Sequence, residues 1–186
     1  MDDTGLFLEV WDHAEGEEVV IVFCGTDEAK DWWSNGRFLT RLLPLGWDQY
    51  PVVRTLIDGL VRRSLQRMPH AKIVTTGHSL GGGLAQHAAY AHPGIQHVIA
   101  FDSSPLTGFR DLPKEVRIRN SRDVEIARVY EKGEILAYVR GFLRRYLPLS
   151  MKDPSITEAR FDLTRGLTAK QHPMTALAGE LAKLSA

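Results

Sequence analysis

Cysteine is almost absent from this chain: Cys24 is the only one in 186 residues. That excludes a disulfide framework and a thiolate metal cluster. Other metal spacings are missing too. There is no H-x-x-x-H helix, no C-x-x-C and no carboxylate set at ligand spacing, so neither a metal nor a cofactor is expected. Charge of one sign is also lacking. Lys and Arg number 23 against 23 Asp and Glu, and no basic block gathers them. A nucleic-acid partner, whose phosphates need a concentrated positive face, is not expected. No stretch approaches the ~20 apolar residues of a spanning helix. The opening "MDDTGLFLEV" starts acidic and has no long apolar run, unlike a Sec-type signal peptide. Repeats and low-complexity linkers are missing as well. What remains is the expectation of a single soluble domain over residues 1–186, cytoplasmic and reduced, whose 44% hydrophobic content suffices for one sizeable core.

What is present alternates between two periods. "LFLEVW" (6–11) and "EVVIVFC" (18–24) read as strands, the second as continuous as a buried central strand would be. In "DQYPVVRTLIDGLVRRSLQRM" (48–68), Val53, Leu56, Ile57, Leu60, Val61 and Leu65 recur at helical spacing, and Pro69 ends the run. "KIVTTG" (72–77) is a further buried strand and "GLAQHAAYA" (83–91) a helix of small residues. "HVIAFD" (97–102) and "VRIRN" (116–120) read as strands. "ARVYEKGEILAYV" (127–139) alternates around Lys132-Gly133 like a hairpin, and Leu177 to Leu184 belongs to a final helix. Strands alternating with helices imply an α/β fold, its mostly parallel sheet covered by helices on both faces.

One short stretch carries chemistry. In "TTGHSLGGGLAQHAAY" (75–90) a strand ends at Gly77, a tight turn holds Ser79, and a helix starts almost at once. So sharp a turn strains the serine backbone. Bulkier residues at Gly77 or Gly81 would collide with the neighbouring strand and helix, and the hydroxyl stands exposed above the sheet. The bare G-x-S-x-G pattern arises by chance in roughly one chain in fifteen of this composition. Its strand–turn–helix setting makes Ser79 a nucleophile rather than a structural turn.

"VTTGHSLGGGLA" resembles the nucleophile elbow of the class 3 lipases, the fungal-type triacylglycerol lipases within the α/β-hydrolase fold. "IVFCGTDEAKDWWSNGRF" is similar to that family's segment bearing the oxyanion residue and the lid, "RIRNSRDVEIARV" to the one with the catalytic aspartate, and "KQHPMTALAGEL" to the one with the catalytic histidine. Order and spacing agree across residues 18 to 184. Cys24 stands where the family often has a basic residue, and the N-terminal region is shorter than in the secreted fungal enzymes.

The chemistry follows from the residues beside that resemblance. A serine hydroxyl attacks only if a base takes its proton, and the base needs a carboxylate to hold its tautomer. α/β-Hydrolases run serine, acid, histidine along the chain. Of 7 histidines only His172 lies well downstream of Ser79, so it is the expected base. The expected acid is Asp123, just after "VRIRN"; its rival is Asp102, at the end of the preceding strand. Thr26 and Leu80 would supply backbone N–H groups to an oxyanion hole, unless "GTD" is an ordinary turn with Asp27 as a helix cap. Trp32 and Trp33 sit where the resemblance puts a lid, although one of two successive tryptophans can equally be core. The expectation is a lipase or carboxylesterase acting on an acyl-lipid or small-ester substrate, in transient contact with a lipid surface. A phospholipase A1 or short-chain esterase on the same triad is the alternative within enzymes. Outside them stands a lipid-binding protein without turnover.

Overall fold

The leading strand, β1 (Leu8–Asp12), runs antiparallel to β2 (Glu18–Phe23), with Leu8 opposite Phe23 and Trp11 opposite Val20. The structure is a computed structural model that describes residues 6–13, 15, 17–24, 49–131, 154–162 and 174–184. Next in order come α1 (Gln49–Arg67), β3 (Lys72–His78), α2 (Leu80–Ala91), β4 (Ile95–Phe101) and a 3₁₀ turn (Phe109–Asp111). α3 (Lys114–Ser121), β5 (Glu125–Glu131), β6 (Ser155–Phe161) and α4 (Met174–Leu184) complete the described elements. The six described strands join one sheet in the order β1-β2-β3-β4-β5-β6, and every pairing after the first is parallel. The chain is a mixed α/β protein with a mostly parallel sheet.

Burial explains the layering. Val19, Ile21 and Phe23 on β2 are at most 1% exposed and share the core with Val53, Ile57 and Val61 of α1. α2 carries three glycines in its first turn and four alanines after them, so its backbone can lie close on the sheet, where it touches β2, β3 and β4. Because β2, β3, β4 and β5 follow one another in parallel without reversal, right-handed crossovers put the helices between them on one side of the sheet. α1, α2 and α3 accordingly stand together, with α2 in contact with both others. The opposite face keeps Trp11 62% and Ile99 39% exposed. α4 buries Leu177 completely.

Two sequence expectations need correction. "VRIRN" is not a strand: it lies in α3, with Ile118 half exposed and Asn120 buried against the Tyr90 carbonyl. Alternating valine and isoleucine imitated a strand period, while Pro113 at the cap and Glu115 in the first turn are helix-start features. The strand comes later, as β5. Nor is β5 the first arm of a hairpin, because β4 and β6 occupy both its edges in parallel; residues 132–139 lie outside the described residues. β6, "SITEARF", went unread in the sequence.

Candidate active site

Ser79 joins β3 to α2 with φ 55° and ψ −120°, a backbone state that side-chain-bearing residues rarely hold. The glycines around it allow the turn. A Cβ at Gly77 would lie 2.4 Å from the Gly81 carbonyl carbon, and one at Gly81 would lie 2.1 Å from the Phe23 oxygen. No carbon fits at those distances, so α2 approaches β2 and β3 only because both residues lack side chains. The Ser79 N–H donates to the Phe101 carbonyl at 3.0 Å, and its own carbonyl accepts from Ser104 N–H at 2.9 Å. Leu80 opens α2, so its N–H belongs to the first helical turn, whose donors have no acceptor within the helix.

The loop after β4 is tied down from every side. Asp102 is fully buried, with φ 38°. Its N–H donates to the Val129 carbonyl at 2.8 Å, and its Oδ1 accepts the Glu131 N–H at 2.8 Å. Glu131, the last residue of β5, is itself only 1% exposed. The next turns lie against α2: a Cβ at Gly82 would meet Ser103 Cβ at 2.7 Å, and one at Gly83 would meet the Leu106 oxygen at 2.7 Å. Tyr50 Oη donates to that Leu106 carbonyl at 2.6 Å. Gln86 Nε2 donates to the Gly82 carbonyl at 3.0 Å and to Ser103 Oγ at 3.3 Å. Gln86 Oε1 accepts from Arg128 Nε at 3.0 Å and Nη2 at 2.7 Å.

Of the residues expected to form the site, Ser79, Leu80, Asp102 and Asp123 are described. Ser79 and Asp102 lie side by side at the C-terminal ends of β3 and β4, linked through Phe101. Asp123 is elsewhere: it is exposed, two residues before β5 begins, at the N-terminal end of the strands. From there to Val129, level with Phe101, is roughly 20 Å of strand at about 3.3 Å per residue. The structure does not bring Asp123 to Ser79. Thr26, Trp32, Trp33 and His172 lie outside the described residues.

Several upstream histidines have other engagements. His87 is buried, its Nδ1 3.0 Å from the Thr107 carbonyl and its ring edge-on to Tyr50. Burial pulls its pKa down to about 4, against the opposing pull of the Thr107 bond. His92 stands 3.6 Å from Asp58 and His97 3.4 Å from Glu125. Burial lowers the His92 pKa, with Asp58 opposing the shift. His13 accepts the Glu15 N–H at 3.4 Å. Among the described residues no group of His, Cys, Asp and Glu could hold a metal ion, and no helix is long and apolar enough to cross a membrane.

Sequence reasoning missed Glu131, Gln86 and the packing role of Gly82 and Gly83. The run of three glycines was the readable signal, since glycine inside a helix is costly unless another backbone comes close.

A family model described as Phospholipase-like, Tle-like phospholipase domain, matches residues 3–182. Among solved structures the chain is similar to a Rhizomucor miehei lipase propeptide complex in a deletion-mutant form, with 16% identity and a TM-score of 0.51. That match covers 74% of this chain and 48% of the lipase chain, so the chain spans about half the length of that relative. At such identity the likeness is one of fold. Comparison with curated proteins gives no match.

Proposed function

We propose, from the premise that the chain belongs to the Tle-like phospholipase domain family, that it is an α/β-hydrolase cleaving carboxylic esters of acyl lipids, phospholipids foremost, through a serine acyl-enzyme. The observation that carries this reading is the strained Ser79 between two glycines whose missing side chains let strand and helix meet. Such strain persists where the surroundings enforce it, and it clusters at reactive residues.

In this reading His172 removes the Ser79 proton as Oγ attacks the ester carbonyl. Backbone N–H groups of Thr26 and Leu80 receive the oxyanion, each such donor supplying ~3 kcal/mol. His172 then returns the proton to the leaving alcohol, and water hydrolyses the acyl-serine by the same steps in reverse roles. No cofactor is called for. Asp102 takes the acid role expected of Asp123. Open parallel sheets present functional residues at the carboxyl ends of their strands, and Asp102 is a buried carboxyl at that end, one residue past Phe101, whose carbonyl accepts the Ser79 N–H. Trp32 and Trp33 serve as lid residues at a lipid surface. Activity is then expected to jump once an insoluble ester exceeds its solubility limit, and to jump less in Trp32→Ala or Trp33→Ala. A smooth hyperbolic curve through that limit would leave an enzyme without a working lid.

Labelling with a fluorophosphonate, followed by assay on phospholipid, glyceride and p-nitrophenyl esters, tests the whole reading. Stoichiometric label at Ser79 with preference for phospholipid supports it. Preference for glycerides or short esters would make it a lipase or esterase on the same residues, and no label would make it a lipid-binding protein.

A further inference from the structure

Gln86 is a fully buried amide on α2, beside the buried His87. An amide offers two N–H groups and two lone pairs, and here all four have partners. Oε1 takes the fork of the Arg128 guanidinium, while Nε2 reaches the Gly82 carbonyl and Ser103 Oγ. Arg128 has no lone pair to offer, so it dictates which way the amide faces: oxygen toward the guanidinium, nitrogen toward Ser103. Glu158 of β6 stands 3.9 Å from Arg128 Nη1 and continues the chain of charge across the sheet. The line therefore runs from β6 through β5 and α2 to the residue directly after Asp102. Asp102 holds a left-handed φ of 38°, a conformation that relaxes unless its neighbours fix it.

We infer that Gln86, oriented by Arg128, is a positioning residue that acts through Ser103 to hold the Asp102 carboxylate in place for the catalytic histidine. The inference rests on the proposed role of Asp102. A carboxylate displaced by an ångström spoils transition-state alignment far more than substrate binding, at a cost of up to about a hundredfold in rate. Loss of Gln86 should therefore appear in kcat and leave KM nearly alone.

The test compares Gln86→Met, Ser103→Ala and Asp102→Asn with the parent protein, and Gln86→Met/Asp102→Asn with Asp102→Asn, each corrected for the fraction of serine titrated by fluorophosphonate. The expected result is a fall in kcat of roughly 10- to 100-fold for Gln86→Met, with KM within about twofold. Ser103→Ala should give a smaller fall of the same kind. The double variant should be no slower than Asp102→Asn alone, because a residue acting through Asp102 has nothing left to position. Should Gln86→Met fail to fold, Ser103→Ala decides, since it only removes an oxygen. Unchanged kcat in the variants, or losses that multiply in the double variant, would overturn the inference. A near-normal Asp102→Asn would instead overturn the acid assignment, and an unlabelled parent protein the hydrolase reading.

Discussion

Ser79 holds its φ of 55° at a cost of order 1–3 kcal/mol, which glycine would not incur. Ser79→Gly should therefore raise the melting temperature by a few degrees while abolishing ester hydrolysis. Ser79→Ala should lose 10⁴–10⁶ in rate without that gain in stability. Thermal scans beside an ester assay check both, and near-normal turnover by the alanine variant would remove Ser79 from the mechanism. The acid shows how a local misreading travels. Chain order alone admits both Asp102 and Asp123. Reading "VRIRN" as a strand put Asp123 just past the C-terminal end of a strand. As α3 it leaves Asp123 two residues before a strand start, at the opposite end of the strands from Ser79. Asp102→Asn is expected to lose ~10⁴ in rate, because an amide presents the wrong partner to the imidazole. Asp123→Asn, on an exposed turn, should stay near the parent rate. The reverse order in matched kinetics would return the role to Asp123.

At the scale of elements, the same substitution should change sign with its surroundings. Gly59 lies inside α1 with nothing within 4 Å of an added Cβ. Gly59→Ala should stabilise the protein by about 0.5–1 kcal/mol, since it restricts the unfolded chain and removes nothing. Gly81, also helical, would drive a Cβ to 2.1 Å from the Phe23 backbone oxygen. Gly81→Ala must push α2 off β2, and should lower the denaturation midpoint and activity together. Urea titrations of the two variants check the contrast, and equal shifts would mean that the close approach at the elbow does not constrain the fold. Elements with buried, one-sided patterns were legible. α1 was expected at 48–68 and runs Gln49–Arg67; β3 was expected at 72–77 and runs Lys72–His78. Those that misled carry polar or exposed residues at alternating positions, as in α3 and β6, where contact with the rest of the chain and not hydrophobic period decides the state.

For the molecule as a whole, the parallel sheet sets a direction: the C-terminal strand ends hold Ser79, Asp102 and Glu131, and the loop that carries Asp102 is strapped across α1 and α2. That arrangement was legible in kind from alternating strands and helices, but the strap was not, because its contacts join residues far apart in sequence. His87 is part of the strap. It sits fully buried between Tyr50 and the Thr107 carbonyl, and burial holds its pKa down at about 4. Unfolded, the same imidazole takes up a proton near pH 6.5. Between those two values the unfolded chain binds more protons than the folded one, so stability falls as the pH drops from about 6.5 toward 4 and levels off below. Above pH 6.5 the contribution is fully present. At about 1.4 kcal/mol per pH unit, the buried ring withdraws about 2 kcal/mol of stability between pH 7.5 and pH 5. Glutamine in its place can still donate to the Thr107 carbonyl but cannot titrate. Urea denaturation of the parent and His87→Gln at pH 7.5 and pH 5 should show the parent losing about 2 kcal/mol more than the variant on acidification. Parallel losses in the two proteins would mean that the acid sensitivity of the fold arises from groups other than this histidine.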